Sequence, residues 1–325
     1  MKVLNFGSLN IDYVYRVAHI LRPGETQKAE EMEIFPGGKG MNQSIAMARA
    51  GAQVYHAGMV GADGQFLLDI CRENHVNTDY IRMTEGKSGH TIIQVDDDAQ
   101  NSILLYGGGN RQMTKDFIDE VLAGFGKGDI LVLQNEINLP DIVIDRAYEK
   151  GMVIVLNPSP FDEGLGACDL SKVSVFLVNE IEARLLAGEE YESGETAKEG
   201  CKTGKECKDG ETAGKEYESR AEGGRLVDAI LKKYPKAQAV VTMGEAGAFY
   251  GRGEMRRFQK SFPVKAVDTT AAGDTFTGYF VYGMMKGEAV EVVMERAARA
   301  AALAVSRKGA VPSIPWREEI PETEA

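Results

Sequence analysis

Residues 267–276 read VDTTAAGDTF, following an apolar, strand-like run and preceding a helical one. Three of the smallest residues stand directly before the carboxylate of Asp274: Ala271, Ala272 and Gly273. If they form the turn into a helix, their N–H groups lie unpaired at the positive end of the helix dipole and favour an anion. Small side chains let a phosphate approach closely, and a neighbouring carboxylate can accept the proton of an attacking hydroxyl. The stretch predicts an anion hole with Asp274 as the base, although on this stretch alone a plain helix cap remains open for Asp274.

A second glycine-rich stretch, residues 35–52, reads FPGGKGMNQSIAMARAGA and predicts a turn followed by a helix. It matches neither the Walker loop nor the dinucleotide fingerprint. Residues 7–12, GSLNID, come at the carboxyl end of the first strand-like run, where α/β sheets bind ligands. Taken alone, a glycine turn before a helix can be a plain loop. Together the two stretches predict a polar cluster for a polyhydroxyl ligand, in which Gly38 belongs to a close-approach turn, Lys39 and Asn42 offer donors, and Asn10 and Asp12 follow the first strand.

Apolar runs of strand length alternate with helical patterns along the chain, and several runs are Val/Ile/Leu-rich, as in strands buried on both faces. The predicted strands are Lys2 to Phe6, Asp129 to Leu133, Met152 to Leu156, Val173 to Val178 and Ala239 to Met243. The predicted helices are Met41 to Ala50, Thr114 to Ala123, Pro140 to Lys150, Gly224 to Lys233, Asp274 to Met285 and Val290 to Arg307. This order predicts a single α/β domain over residues 1–325, with a mostly parallel, Rossmann-like central sheet between helices on both faces.

Two regions depart from the alternation. Period-two patterns at about 12–35 and 91–106, with a hairpin-like turn at 94–101, predict a small antiparallel β lid at the edge of the sheet. Residues 189–222 contain 11 acidic and 6 basic residues and few bulky aliphatic ones. We expect this segment to be a mobile insertion or a solvated helical protrusion, because it cannot bury a core.

The overall charge and the cysteines narrow the class of partner. A formal charge of −12 over 325 residues argues against broad nucleic-acid or membrane-surface binding. The first residues lack a signal-peptide pattern, and no apolar run approaches the length of a membrane span. The four cysteines are too few and too scattered for a disulfide framework: Cys71, Cys168, Cys201 and Cys207. We expect a cytoplasmic protein with a small-molecule partner.

Several motifs, taken in order, resemble the ribokinase family of sugar and nucleoside kinases, the phosphofructokinase-B superfamily. They are GSLNID, RPGET, GGKGMNQ, GADGQF, VNEIEA, VTMGEAGA, DTTAAGDTF and the ending AVSRKGAVPSIPWREEI at residues 304–320. The resemblance covers nearly the whole chain, and the order of the motifs is more specific than any one of them. It implies the family's α/β fold with a lid, which in relatives also pairs subunits into homodimers.

The resemblance also implies roles for individual residues. Sugar hydroxyls would be held by Asn10, Asp12, Gly38, Lys39, Asn42 and Glu136, while Asp274 deprotonates the primary hydroxyl beside the anion hole of Ala271, Ala272 and Gly273. ATP would be lined by Asn179, Thr242, Gly244 and Gly247, with Glu182 and Asn179 organising Mg²⁺ and phosphate through water. A monovalent cation, K⁺, would be ringed, largely by backbone oxygens, at Asp268, Thr270, Ala304, Arg307, Gly309 and Ser313.

The implied activity is ATP-dependent phosphorylation of the primary hydroxyl of a small furanose, with D-ribose as first candidate and D-ribose 5-phosphate as product. Fructose, ketodeoxygluconate and nucleosides remain alternatives, since lid residues such as Ile93 and Ile103 suit a bare sugar or a base. A non-catalytic sugar or nucleotide sensor is the alternative of another class, against which the carboxylate and the anion hole argue. Arg299 departs from the His or Asn that relatives carry beside the adenine.

Overall fold

The computed structural model describes residues 1–98, 100–189 and 209–321. Strands are β1 (Val3–Phe6), β2 (Asn10–Arg16), β3 (Glu31–Gly37), β4 (Val54–Val60), β5 (Asn77–Met83), β6 (Gly89–Val95), β7 (Asn101–Tyr106), β8 (Ile130–Gln134), β9 (Val153–Asn157), β10 (Val175–Asn179), β11 (Gln238–Thr242), β12 (Ala248–Arg252) and β13 (Met255–Gln259). Helices are α1 (Lys39–Ala50), α2 (Gln65–Glu73), α3 (Lys115–Ala123), α4 (Pro140–Glu149), α5 (Glu180–Ala187), α6 (Asp209–Lys233), α7 (Ala272–Lys286) and α8 (Val290–Val305).

Within these ranges nine strands form the main sheet, in the order β13-β12-β11-β10-β9-β8-β1-β4-β5. The seven strands from β11 to β5 pair in parallel, and only the β11–β12 and β12–β13 pairs are antiparallel. Each predicted strand overlaps an observed one, and the mostly parallel sheet is confirmed. Parallel pairing brings the carboxyl ends of neighbouring strands to one edge, where a ligand site can be built from several of them.

Successive residues of the central strands enter two separate cores. Val3 and Val132 pack into one core with α1, α2, α7 and α8, whereas Leu4 and Leu131 pack into the other with α3 to α6. Side chains of a strand alternate between the two faces of its sheet, so helices cover both faces. The three-layer arrangement expected from the sequence is therefore confirmed.

The predicted lid is a second sheet in the order β3-β2-β6-β7. The pairs β2–β3 and β6–β7 are antiparallel, as predicted, and the two hairpins join through a parallel pair between β2 and β6. One cross-strand row, Phe35, Asp12, Thr91 and Leu105, alternates with the neighbouring row Ile34, Tyr13, Ile92 and Leu104. The two faces of the lid therefore carry different side chains.

The charged segment at 189–222 is described only in part. Residues 190–208, including Cys201 and Cys207, lie outside the described residues, and α6 begins at Asp209 rather than at Gly224. Glu, Ala and Lys favour helix, which accounts for the earlier start. Both flanks of the segment meet in one ion-pair cluster, because Glu189 and Glu222 each pair with Arg225.

No helix among the described residues has the length and apolar character needed to cross a bilayer.

Candidate functional site

A cavity of about 580 Å³ opens at the carboxyl edge of the main sheet, beneath the lid. Four neighbouring parallel strands each contribute a polar residue at or just after their ends: Glu136 follows β8, while Asn157, Asn179 and Thr242 end β9, β10 and β11. The edge predicted from the sequence is thus where these side chains meet.

Asp274, in the first turn of α7, is buried between α7 and α1. Its Oδ2 accepts a hydrogen bond from Asn42 Nδ2 at 3.1 Å, and its Oδ1 accepts one from Gln43 Nε2 at 2.9 Å. The two helices approach so closely that a Cβ added at Gly278 would lie 2.4 Å from that of Ala46. The carboxylate is thereby held by two amides in one orientation.

The turn before Asp274 has the open geometry of an anion site. Ala271 is the N-cap of α7 and has a left-handed φ of 60°. A Cβ added at Gly273 would meet no neighbouring atom within 4 Å. Both Ala271 and Gly273 line the cavity. The amide of Ala272 is engaged differently, since it donates to the carbonyl of Thr269 at 3.3 Å and Ala272 lies outside the cavity lining.

Lys39 brings a positive charge to the lining of the cavity. Burial of the ammonium acts to lower its pKa, but the carboxylates of Asp274, Glu136 and Glu182 together raise the pKa of Lys39 above its ordinary value. The side chain therefore stays cationic among three acidic groups, where it can also neutralise charge on a bound phosphate.

Two further carboxylates line the sugar side predicted from the sequence. Burial raises the pKa of Glu136, against hydrogen bonds from Ser8 Oγ and from the Lys39 amide, the latter at 3.0 Å. Burial likewise raises the pKa of Asp12, although Thr91 Oγ1 donates to its Oδ1 at 2.5 Å. Both carboxylates have more accepting capacity than these donors use, which is the property needed to bind hydroxyl groups.

Two buried amides complete this side. Asn10 Oδ1 accepts from Asn110 Nδ2 at 2.7 Å, which fixes the orientation of the Asn10 amide at the cavity. The Oδ1 atom of Asn42 is buried and has no partner in the described chain. A buried acceptor without a donor is costly, so this atom calls for a donor from a ligand or an ordered water.

The nucleotide side predicted from the sequence includes a capping box at the start of α5. Asn179 Oδ1 accepts from the Glu182 amide at 2.9 Å, and Glu182 Oε2 accepts from the Asn179 amide at 3.1 Å. Thr242 and Gly244 also line the cavity, whereas Gly247 lies outside it in the tight turn before β12. The cap explains the N-x-x-E spacing structurally, and it leaves the Glu182 side chain at the cavity wall.

Three of the residues predicted around a cation meet directly. Asp268 accepts from the amide of Thr270 and from the amide of Gly309, each at 2.9 Å. Partial burial acts to raise the pKa of Asp268, but these donors, together with Lys308, hold it below its ordinary value. The other three lie along the same tail: the Ala304 carbonyl accepts from the Arg307 amide, and Ser313 Oγ donates to Ala310.

Sequence reasoning missed Asn157, Gln43 and much of the lid's inner face, including Leu105. Sequence signals could have identified both amide residues. Asn157 precedes a proline at the end of a strand-like run, and Gln43 follows Asn42 in the glycine-rich stretch. Arg299 does not line the cavity. It forms an ion pair with Glu295, and its guanidinium carbon lies 4.3 Å from the centre of the Phe262 ring.

Known proteins are similar to this chain over almost its full length. The sequence model of the pfkB family of carbohydrate kinases matches residues 1–317 of this chain. A ribokinase from Haemophilus influenzae is 32% identical over 318 residues, which are 96% of this chain and 95% of that protein.

Solved structures are similar over almost the full length. A ribokinase from Cryptococcus neoformans in complex with ADP is 28% identical, with a TM-score of 0.80 and 98% of each chain covered. An Arabidopsis thaliana ribokinase complexed with ribose and ATP is 28% identical, with a TM-score of 0.77, and the match covers 98% of this chain and 97% of that one.

Proposed function

Because this chain belongs to the pfkB family of carbohydrate kinases, whose acceptors are alcohols, we propose that it transfers the γ-phosphoryl group of ATP to O5 of D-ribose. The observation that carries the proposal is Asp274, a buried carboxylate fixed by two amides next to an open helix N-terminus. The relatives named ribokinase and the complex with ribose and ATP supply the substrate class.

Ribose hydroxyls are held by groups that need partners. Asp12 and Glu136 accept from hydroxyls, and the unpartnered Oδ1 of Asn42 accepts from one more. Asn10 and the Gly38–Lys39 turn close the same side of the cavity. Several polar groups converging on one small cavity suit a polyol better than an apolar ligand.

The chemical step is an in-line displacement at the γ-phosphorus. Asp274 takes the proton of the attacking hydroxyl, a new O–P bond forms, and the bond to the bridging oxygen breaks with ADP as the leaving group. The start of α7, at Ala271 and Gly273, with Ala272 between them, offers backbone amides and a positive dipole end to the charge on the transferred group. Lys39 adds a formal positive charge.

ATP occupies the side lined by Asn179, Thr242 and Gly244, with Gly247 shaping the turn behind them. None of the described residues assemble three His, Cys, Asp or Glu side chains around a metal. Mg²⁺ nevertheless fits here, because it is commonly bound through one or two carboxylates plus substrate phosphates and water, and Glu182 is one such carboxylate. Bound Mg²⁺ supplies charge neutralisation and orientation of the phosphates.

A monovalent cation such as K⁺ fits the loop between Asp268 and the tail that carries Ala304, Arg307, Gly309 and Ser313. The support is that Asp268 joins the loop to the tail, since it accepts from the amides of Thr270 and Gly309, and that its lowered pKa keeps a negative charge there. The cation acts structurally, by fixing the loop that leads into the anion hole.

The outer face of the lid supports a homodimer. Its cross-strand row is apolar and largely exposed, with Ile34 at 52%, Ile92 at 38% and Leu104 at 66% exposure, alongside Tyr13. A contiguous apolar face on a monomer typically marks an interaction surface. A second copy of the same lid is the occupant we propose, and a Leu104→Lys variant should shift the mass measured by light scattering to that of a monomer.

The test is a screen of acceptors with ATP, Mg²⁺ and K⁺, in which ADP release is measured by a coupled assay. Ribose should give the highest kcat/KM. Release with fructose, ketodeoxygluconate or a nucleoside, but not with ribose, would reject the substrate and keep the kinase. Binding of sugar and ATP by calorimetry with no ADP release for any acceptor would instead indicate a sensor.

A further inference from the structure

Asp274 and Glu182 belong to different helices, yet a chain of two amide side chains connects them. Gln43 Nε2 donates to Asp274 Oδ1 at 2.9 Å and to Asn157 Oδ1 at 3.1 Å. Asn157 Nδ2 in turn donates to Glu182 Oε2 at 3.3 Å and to the carbonyl of Leu177 at 2.9 Å. The path therefore runs from the proposed base to the carboxylate on the nucleotide side.

Only one direction of hydrogen bonding satisfies this chain. A carboxylate that is ionised only accepts, so the atom of Gln43 that faces Asp274 must be its amide nitrogen. Its Oε1 then faces the buried Gln134, whose Nε2 donates to it at 2.6 Å and to Asn5 Oδ1 at 3.0 Å. With Gln43 fixed, the Asn157 oxygen accepts and its nitrogen is left to donate to Glu182.

We propose that Gln43 and Asn157 are positioning residues that hold Asp274 and Glu182 in a fixed relative arrangement, so that the base and the nucleotide are oriented by one hydrogen-bonded unit. The inference deepens the proposed kinase function and rests on it. Neither amide touches the reacting atoms, and no proton moves through them. Gln43 is completely buried, whereas Asn157 is partly exposed where it lines the cavity, so the Gln43–Asp274 hydrogen bond is the one sheltered from water.

Two variants separate the halves of this unit. Gln43→Met keeps the volume and removes the donor to Asp274, while Asn157→Leu removes the donor to Glu182 and leaves the Gln43–Asp274 bond in place. Asn74→Leu is the matched control, because Asn74 is another buried amide, which accepts from Arg49 Nε at 2.8 Å and does not line the cavity.

In Gln43→Met we expect kcat to fall about 10 to 10²-fold with little change in the KM for the sugar, since a hydrogen bond to a charged group is lost. A fall in kcat without a matching rise in KM is the result that a merely structural role for Gln43 would not give. The charged groups that also face Asp274 are Lys39 from α1 and Glu136 after β8, and both are retained.

In Asn157→Leu we expect MgADP binding measured by calorimetry to weaken about tenfold or more, as for other residues that orient a metal-binding carboxylate. Asn74→Leu should lower Tm and change neither readout. A wild-type kcat in Gln43→Met, or unchanged MgADP affinity in Asn157→Leu, overturns the inference. If Gln43→Met does not fold, the calorimetry of Asn157→Leu decides. Since that readout needs no turnover, an inactive wild type would reject the proposed reaction while the coupling is still tested.

Discussion

Gly278→Ala offers a sensitive test of how the site is assembled. Gly278 lies in α7, one turn beyond Asp274, and faces Ala46 and Met47 of α1. A Cβ there would lie 2.4 Å from the Cβ of Ala46 and 2.8 Å from the backbone nitrogen of Met47. Backbone cannot rotate away as a long side chain does, so the two helices must separate.

The magnitude follows from the contact distance. Non-bonded carbons pack at about 3.5–4.0 Å, so relief of the clash requires a shift of about 1 Å. The same shift stretches the hydrogen bonds that Asn42 and Gln43 donate to Asp274, now 3.1 and 2.9 Å, beyond good geometry. We expect a loss of about 10²-fold in kcat from misplacement of Asp274, the proposed base, and a loss of about 1–3 kcal/mol in the free energy of unfolding from overpacking.

Gly283→Ala is the matched control on the same helix. Its added Cβ would meet Val293 Cγ2 of α8 at 2.7 Å, so it is overpacked on the side away from α1. The assay is ADP release at saturating substrates, with urea unfolding of each variant. Both variants should be destabilised, and only Gly278→Ala should lose kcat. Wild-type kcat in folded Gly278→Ala, or equal losses in both variants, would refute the reasoning.

Three further outcomes are expected. Asp274→Asn should lower kcat about 10² to 10⁴-fold with sugar affinity little changed, measured by steady-state kinetics and calorimetry; comparable turnover would reject Asp274 as the base. Replacing Na⁺ by K⁺ at matched ionic strength should raise kcat, and Asp268→Ala should blunt that response with Tm little changed; equal rates in both ions would reject the cation site. Replacing residues 190–208 by a short Gly-Ser linker should keep the fold, since these polar residues can add little to a core, and a loss of soluble expression would count against an insertion.

Much of the fold could be predicted because the central strands are continuous apolar runs, as buried parallel strands are. The strands that were missed carry weaker patterns. β4 contains His56 and Gly58, which interrupt its apolar run, and β13 is the exposed edge strand, with Arg256 and Arg257 at its centre. Their positions depend on pairing with neighbouring strands, which local composition does not encode.

The first part of α6, before Gly224, is a region whose structure the sequence left open. Residues 209–222 are polar enough to predict a solvated segment, and the sequence left open whether it is helical. The anchor lies at its end, where Glu222 pairs with Arg225 and Arg184. Such a cluster needs charges from α5 and α6 together, so no window of sequence contains it.

Site residues could be predicted from the sequence where a single motif contains the groups that act together. They were harder to predict where the arrangement depends on the packing of two helices. The sequence around Gly278 reads as ordinary apolar helix, as does the small-residue run after Asn42. The effect of these small residues becomes visible only when α1 and α7 pack face to face, because small residues on both helices let the backbones approach closely. That approach is what carries Gln43 within 2.9 Å of Asp274. A larger residue at this crossing would leave every motif intact in the sequence and still remove the contact that orients Asp274.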